Sequence, residues 1–140
     1  MSLIDKLMQM DKTKVLEKPT KEIEIKRLSE LMGSPFNVKC QAIDGERYAD
    51  IQRTAVDLNK KGGLRNINLF EMQVLTVLDG VVEPSLKDKK LIEHFGCVTP
   101  KDLVKKLFLS GEIADLSNAI TELSGYEKDT DNEEEEVKKQ

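Results

Sequence analysis

Residues 21–43 read KEIEIKRLSELMGSPFNVKCQAI, and they decide the fold class. The first seven alternate strictly around Ile23 and Ile25, the period of a half-buried strand. The last eight alternate again, placing Phe36, Val38, Cys40 and Ala42 on one face. Between them, Gly33 and Pro35 break any regular element, and Leu28–Met32 has room for one helical turn. Two such runs pair most simply as an antiparallel ribbon. Two strands alone are marginal, so helices must cover the apolar face.

Outward from this stretch the period changes. After Asp44-Gly45, Tyr48, Ile51, Ala55 and Leu58 step by three and four, which predicts a helix from about Glu46 to Lys60. The Lys60–Gly63 run, KKGG, ends it. Residues 67–82, INLFEMQVLTVLDGVV, carry a stripe of Ile67, Phe70, Val74, Val77 and Leu78, widened by Leu69, Met72 and Leu75. This reads as the central, most buried helix, stopped by Glu83-Pro84.

Ser85 with Asp88 has capping-box spacing and opens SLKDKKLIEHFG, closed by Gly96. Thr99 as N-cap, Pro100 at N1 and Asp102 at N3 start the next helix, whose apolar face is Leu103, Val104, Leu107 and Phe108. A last helix is expected from about Glu112 to Leu123, buried through Ile113, Leu116, Ile120 and Leu123. Ser124-Gly125 terminate it.

Toward the N-terminus, SLIDKLMQM has Ser2 and Asp5 at reciprocal capping positions. Leu3, Leu7 and Met10 share one face, with Ile4 and Met8 beside it. Such a helix is too short to hold alone and needs something to pack on. Leu3, Leu7, Met8 and Met10 are therefore the candidate partner-binding residues; unbranched methionines adapt to varied surfaces. Packing on the chain's own body is the simpler alternative. Residues 11–20, DKTKVLEKPT, read as a polar connector.

The organisation expected is an amphipathic helix and linker over 1–19, one globular domain over 20–126 and a disordered acidic tail over 127–140. The class is α+β and predominantly α-helical: a small N-terminal antiparallel β-ribbon packed by about five helices. Aromatics are 4% and Trp is absent, so the core must be aliphatic. Residues 127–140 carry seven acids and three lysines, which accounts for the whole net charge of −4 and leaves a body of 19 acids and 19 bases. A neutral body exerts no general pull on phosphate backbones.

Chemistry is sparse. Cys40 and Cys97 are the only cysteines, far apart and without metal-ligand spacing; buried free thiols are the expectation. His94 is the sole histidine and sits near a helix end, where it suits the helix dipole. DTDNEE (129–134) imitates the start of a calcium loop but has Glu134 where glycine is needed. KGGLR (61–65) lacks phosphate-loop spacing. No catalytic, cofactor or metal residues are assigned, and an enzyme is not expected. No apolar run reaches membrane-spanning length, and the start is not a signal peptide. The helices at 101–109 and 112–123 have helix-turn-helix order. The second bears three acids and no Lys or Arg, so DNA binding through it is repulsive.

The order of elements resembles a known family. Pro35-Phe36 and Ala42-Ile43 bound the second strand, and Val81-Val82-Glu83-Pro84-Ser85-Leu86 closes the central helix. Phe95-Gly96, Thr99-Pro100, Leu107-Phe108-Leu109-Ser110-Gly111-Glu112-Ile113 and Leu123-Ser124-Gly125-Tyr126 follow. Over residues 20–126 this is similar to the XkdN-like phage tail assembly chaperones, most strongly over 80–126. The resemblance implies a non-catalytic protein of the host bacterial cytoplasm, absent from the mature tail. Such a protein binds the tape measure protein, keeps it soluble and assists tail tube assembly. It also implies the tail tube protein and a frameshifted long form as further partners, since Lys138-Lys139 can be encoded by a slippery A-rich run. The alternative is a small helical DNA-binding transcription regulator of a mobile element.

Overall fold

The computed structural model describes residues 2–58 and 68–126. Within them the chain is predominantly helical, with a small antiparallel sheet. The expected loop at 60–63, the calcium-loop mimic at 129–134 and the acidic tail lie outside the described residues, as do Ile67 and the last residues expected of the first long helix.

The two alternating runs form β1 (Thr20–Glu24) and β2 (Asn37–Gln41), antiparallel, with Ile23 opposite Val38 and Lys21 opposite Cys40. The ribbon is not two-stranded. Val81–Glu83, expected as the end of the central helix, is a third strand, β3, on the far side of β2. The helix α5 is Leu69–Gly80, and its last residue lies tight against α8 (Ser110–Leu123). There it runs so close to Ile120 that even a Cβ would meet that side chain at 2.5 Å. Past this contact the β-branched pair Val81-Val82 suits an extended backbone, and Val81 is buried beside Cys40.

Two further expectations change. The connector holds a short helix of its own, α2 (Lys12–Leu16), because Asp11 caps it by accepting from the Thr13 N–H at 2.9 Å. The link between the first two strands is a seven-residue helix, α3 (Lys26–Met32), rather than one turn; Gly33, at φ 79°, ends it in the left-handed region that glycine tolerates. The others keep their places with shifted ends: α1 (Leu3–Gln9), α4 (Gly45–Leu58), α6 (Lys89–His94), α7 (Pro100–Leu107) and α8 (Ser110–Leu123). Helix α6 starts later than expected because Asp88 is itself the N-cap, accepting from the Leu91 N–H at 3.0 Å. Thr99 and Pro100 open α7 as the sequence indicates. Helix α8 begins at Ser110, two residues early, because the Glu112 carboxylate accepts the Leu109 N–H at 2.8 Å.

The inner face of the sheet, with Val38, Cys40 and Val81, lies over a core of Val74, Val77, Leu103, Val104, Ile113, Leu116 and Ile120. Helix α8 packs on α5 and reaches β1 and β2. Its end is tied to the sheet by Ser124, whose hydroxyl accepts the Ile43 N–H at 3.0 Å and donates to the Ile120 carbonyl at 2.8 Å. The start of α8 is tied to α3. Arg27 grips the Glu112 carboxylate with two N–H groups, at 3.0 and 2.9 Å, and also donates to the Leu107 carbonyl at 2.9 Å. The Arg27 hydrogen bonds hold the Glu112 carboxyl below the usual carboxylate range. Buried Glu71 on α5 pairs with Lys101 and, at 3.8 Å, with Lys105, which fastens α7.

Candidate functional site

The candidate residues Leu3, Leu7 and Met8 lie on α1, and Met10 is its C-cap. Helix α1 forms for local reasons. The Ser2 hydroxyl accepts the Asp5 N–H at 3.2 Å while the Asp5 carboxylate accepts the Ser2 N–H at 3.3 Å. Met10 then leaves the helix in an extended conformation, Asp11 caps α2, and Glu17 ends it.

None of these apolar side chains is covered. Leu3 is 74% exposed, Leu7 55% and Met8 81%. Ile4, Met10, Val15 and Leu16 are exposed too. Helices of seven and five residues do not persist in water on propensity alone. Fully burying a Leu, Ile or Met side chain is worth ~1.5–3 kcal/mol. The connection to the sheet is polar: the Pro19 carbonyl accepts the Ala42 N–H at 3.0 Å, and Lys18 pairs with Asp44 at 3.4 Å.

Val15 and Leu16 belong to this surface, and sequence reasoning missed them. The signal was present as Asp11 followed by a short run ending in two apolar residues. Between Lys14 and Glu17-Lys18 it was read as a connector.

Other candidates fare differently. Helix α8 is no groove-reading helix: Ile113, Leu116, Ser117, Ala119 and Ile120 are buried, and its exposed strip shows Asp115 and Asn118 without a basic residue. A recognition helix needs a free face with phosphate-binding flanks. Cys40 is buried as expected, and burial pushes its thiol up to about 11. Cys97 is only half-buried, its thiol 3.7 Å from the Phe95 carbonyl. His94 ends α6 with its ring edge-on to Phe95 at 5.1 Å. Among the described residues no group of His, Cys, Asp and Glu could hold a metal ion, and no helix is long and apolar enough to cross a membrane. An open hollow of about 500 Å³ beside Pro84, Leu91 and His94 is shallow and mixed in character.

Comparison with known proteins adds a family. The sequence matches the family described as phage XkdN-like tail assembly chaperone protein over residues 4–138, so the match takes in the N-terminal helices and most of the acidic segment as well as residues 20–126. No curated protein matches the chain. Among solved structures, the crystal structure of the protein yqbn is similar, with a TM-score of 0.58 and 20% identity, covering 77% of this chain and 87% of that one. At that identity the likeness concerns the fold.

Proposed function

Because the chain belongs to the family of phage XkdN-like tail assembly chaperones, we propose that it binds the tape measure protein through the exposed arm of α1 and α2. By doing so it keeps that protein soluble until the tail tube encloses it. The observation that carries this reading is the set of uncovered apolar side chains on the arm: Leu3, Leu7, Met8 and Met10, joined by Val15 and Leu16. A long, largely helical tape measure exposes apolar stripes before the tube surrounds it. The amphipathic helix α1, with Val15 and Leu16 of α2 beside it, can lie along such a stripe and exclude water from it.

In this reading the chain works without catalysis in the host cytoplasm and leaves before the tail is finished. Residues 1–19 are the docking arm, 20–126 the body that carries it, and 127–140 a hydrated acidic segment. The tail tube protein is a second partner. A frameshifted long form, reached through Lys138-Lys139, extends the acidic segment in a minority product; a gene lacking an A-rich slippery run over those codons would exclude it.

The test is co-expression with the tape measure protein of the same gene cluster, scored by its solubility and by co-purification. Leu7→Asp places a charge in the apolar face and should abolish co-purification, with the far-UV circular dichroism and melting temperature of the free chain unchanged, because Leu7 touches no core. A tape measure that stays insoluble beside the wild-type chain refutes the function. One that co-purifies equally with the variant refutes the arm.

A further inference from the structure

Among the described residues the outer edge of β1 has no neighbouring strand. Which backbone groups face it follows from two bonds that flank the strand. The Ile25 N–H donates to the Phe36 carbonyl and the Ala42 N–H to the Pro19 carbonyl, both at 3.0 Å, in the same register as Thr20 opposite Gln41. Antiparallel pairs alternate between bonded and non-bonded. The odd residues of β1 therefore bond to β2, and the N–H and C=O groups of Thr20, Glu22 and Glu24 point the other way. No strand lies on that side, and among the described residues these groups have no backbone partner. The side chains of Thr20, Glu22 and Glu24 are exposed as well.

The outer face of the sheet shows what would fit. Lys39 on β2 stands opposite Glu22 on one side and Glu83 on the other, all three exposed. Charge alternates across the strands as acid, base, acid, and the next strand outward would continue it with a base. Glu24 faces neutral Asn37, so the edge holds a second acid without a cross-strand cation. Opposite charges across a strand pair attract and like charges repel. The chain's own acidic segment, with seven acids over 127–140, would set like charge against Glu22 and Glu24. A second copy of β1 centred on the first sets Glu22 against Glu22. On the inner side, Ile23 is half-buried and offers an apolar contact.

We propose that the free edge of β1 receives an extended segment of a partner protein as a fourth strand, with Lys or Arg on the outer face opposite Glu22 and Glu24 and apolar residues on the inner face beside Ile23. The segment bonds to the outward N–H and C=O groups of Thr20, Glu22 and Glu24, a mode of recognition in which backbone bonds give affinity and alternate side chains give specificity. The site is separate from the arm in its chemistry, and it stands or falls without the tape measure reading.

The experiment uses the full chain, labelled with nitrogen-15, and short peptides that alternate Lys with Val or Glu with Val. The Lys peptide should slow hydrogen exchange at the Glu22 and Glu24 amides and leave Lys21 and Ile23 nearly unchanged. The Glu peptide should bind about tenfold or more weakly, since two cross-strand pairs change from attractive to repulsive. Glu22→Pro removes an outward donor that β2 does not use and should end the Lys peptide's protection. Glu22→Lys combined with Glu24→Lys should reverse the preference between the peptides. Equal binding of both peptides, protection elsewhere, or an unchanged preference in the reversed variant would overturn the proposal.

Discussion

Replacing Gly80 with alanine tests the packing at the end of α5. A Cβ at position 80 would stand 2.5 Å from Cδ1, 2.6 Å from Cγ2 and 2.7 Å from Cγ1 of Ile120. Carbon atoms pack well at ~3.5–4.0 Å, so each contact is about 1 Å too short. Ile120 is fully buried on α8, so its displacement would press on other core side chains. Overpacking of this kind costs about 1–3 kcal/mol. Alanine returns ~0.5–1 kcal/mol at most through its better helical backbone, so a net loss of about 1–2 kcal/mol is expected. Truncating the neighbour instead, with Ile120→Ala, costs about 2–5 kcal/mol through the cavity it leaves. It also removes all three clashing atoms. In the double variant the new methyl group enters vacated space, so the two losses should fall short of additivity by about 1–2 kcal/mol. Urea denaturation followed by far-UV circular dichroism measures all four proteins. A Gly80→Ala midpoint equal to wild type, or a double variant whose loss equals the sum, would refute the close approach of Gly80 to Ile120.

Two other features give direct readouts. Glu112 has its carboxyl lowered by Arg27, so its contribution to stability is present above the ordinary carboxylate value of about 4.3 and is lost as pH falls through the lower folded value. Arg27→Gln should flatten that acid limb relative to wild type in melting experiments; parallel curves for the two proteins would count against the pair. Cys97 should react with a maleimide at pH 7.5 at once. Buried Cys40, its thiol at about 11, should react only on the timescale of unfolding, which mass spectrometry reads as one adduct followed by a second. Two rapid adducts would mean that the sheet does not cover Cys40.

Periodicity made most of the fold legible. The alternation around Ile23 and Val38 gave both ribbon strands, and Thr99-Pro100 gave the start of α7. What it could not give depends on contacts far along the chain. The β-branched pair Val81-Val82 leans toward a strand, but a run this short is decided by its pairing with β2 at Cys40, far along the chain. Helix α2 was hidden by its brevity: one cap and two apolar residues do not form a period. The candidate arm was legible as an amphipathic face at Leu3, Leu7 and Met10, but sequence cannot tell a face that packs on its own body from one left uncovered. The β1 edge was invisible for a similar reason. A strand becomes an edge only when the rest of the sheet is in place.

The ties between α8 and the first third of the chain set the order in which this molecule can become itself. Ser124 and Ile43 are separated by 81 positions and Arg27 and Glu112 by 85. A growing chain that has made β2 must wait for α8 before Val38 and Cys40 can leave water. Translation at about 5–20 residues per second puts roughly 3–14 seconds between the synthesis of Gln41 and that of Ser110. Through that interval Val38 and Cys40, fully buried in the finished fold, stay open to water and to other chains.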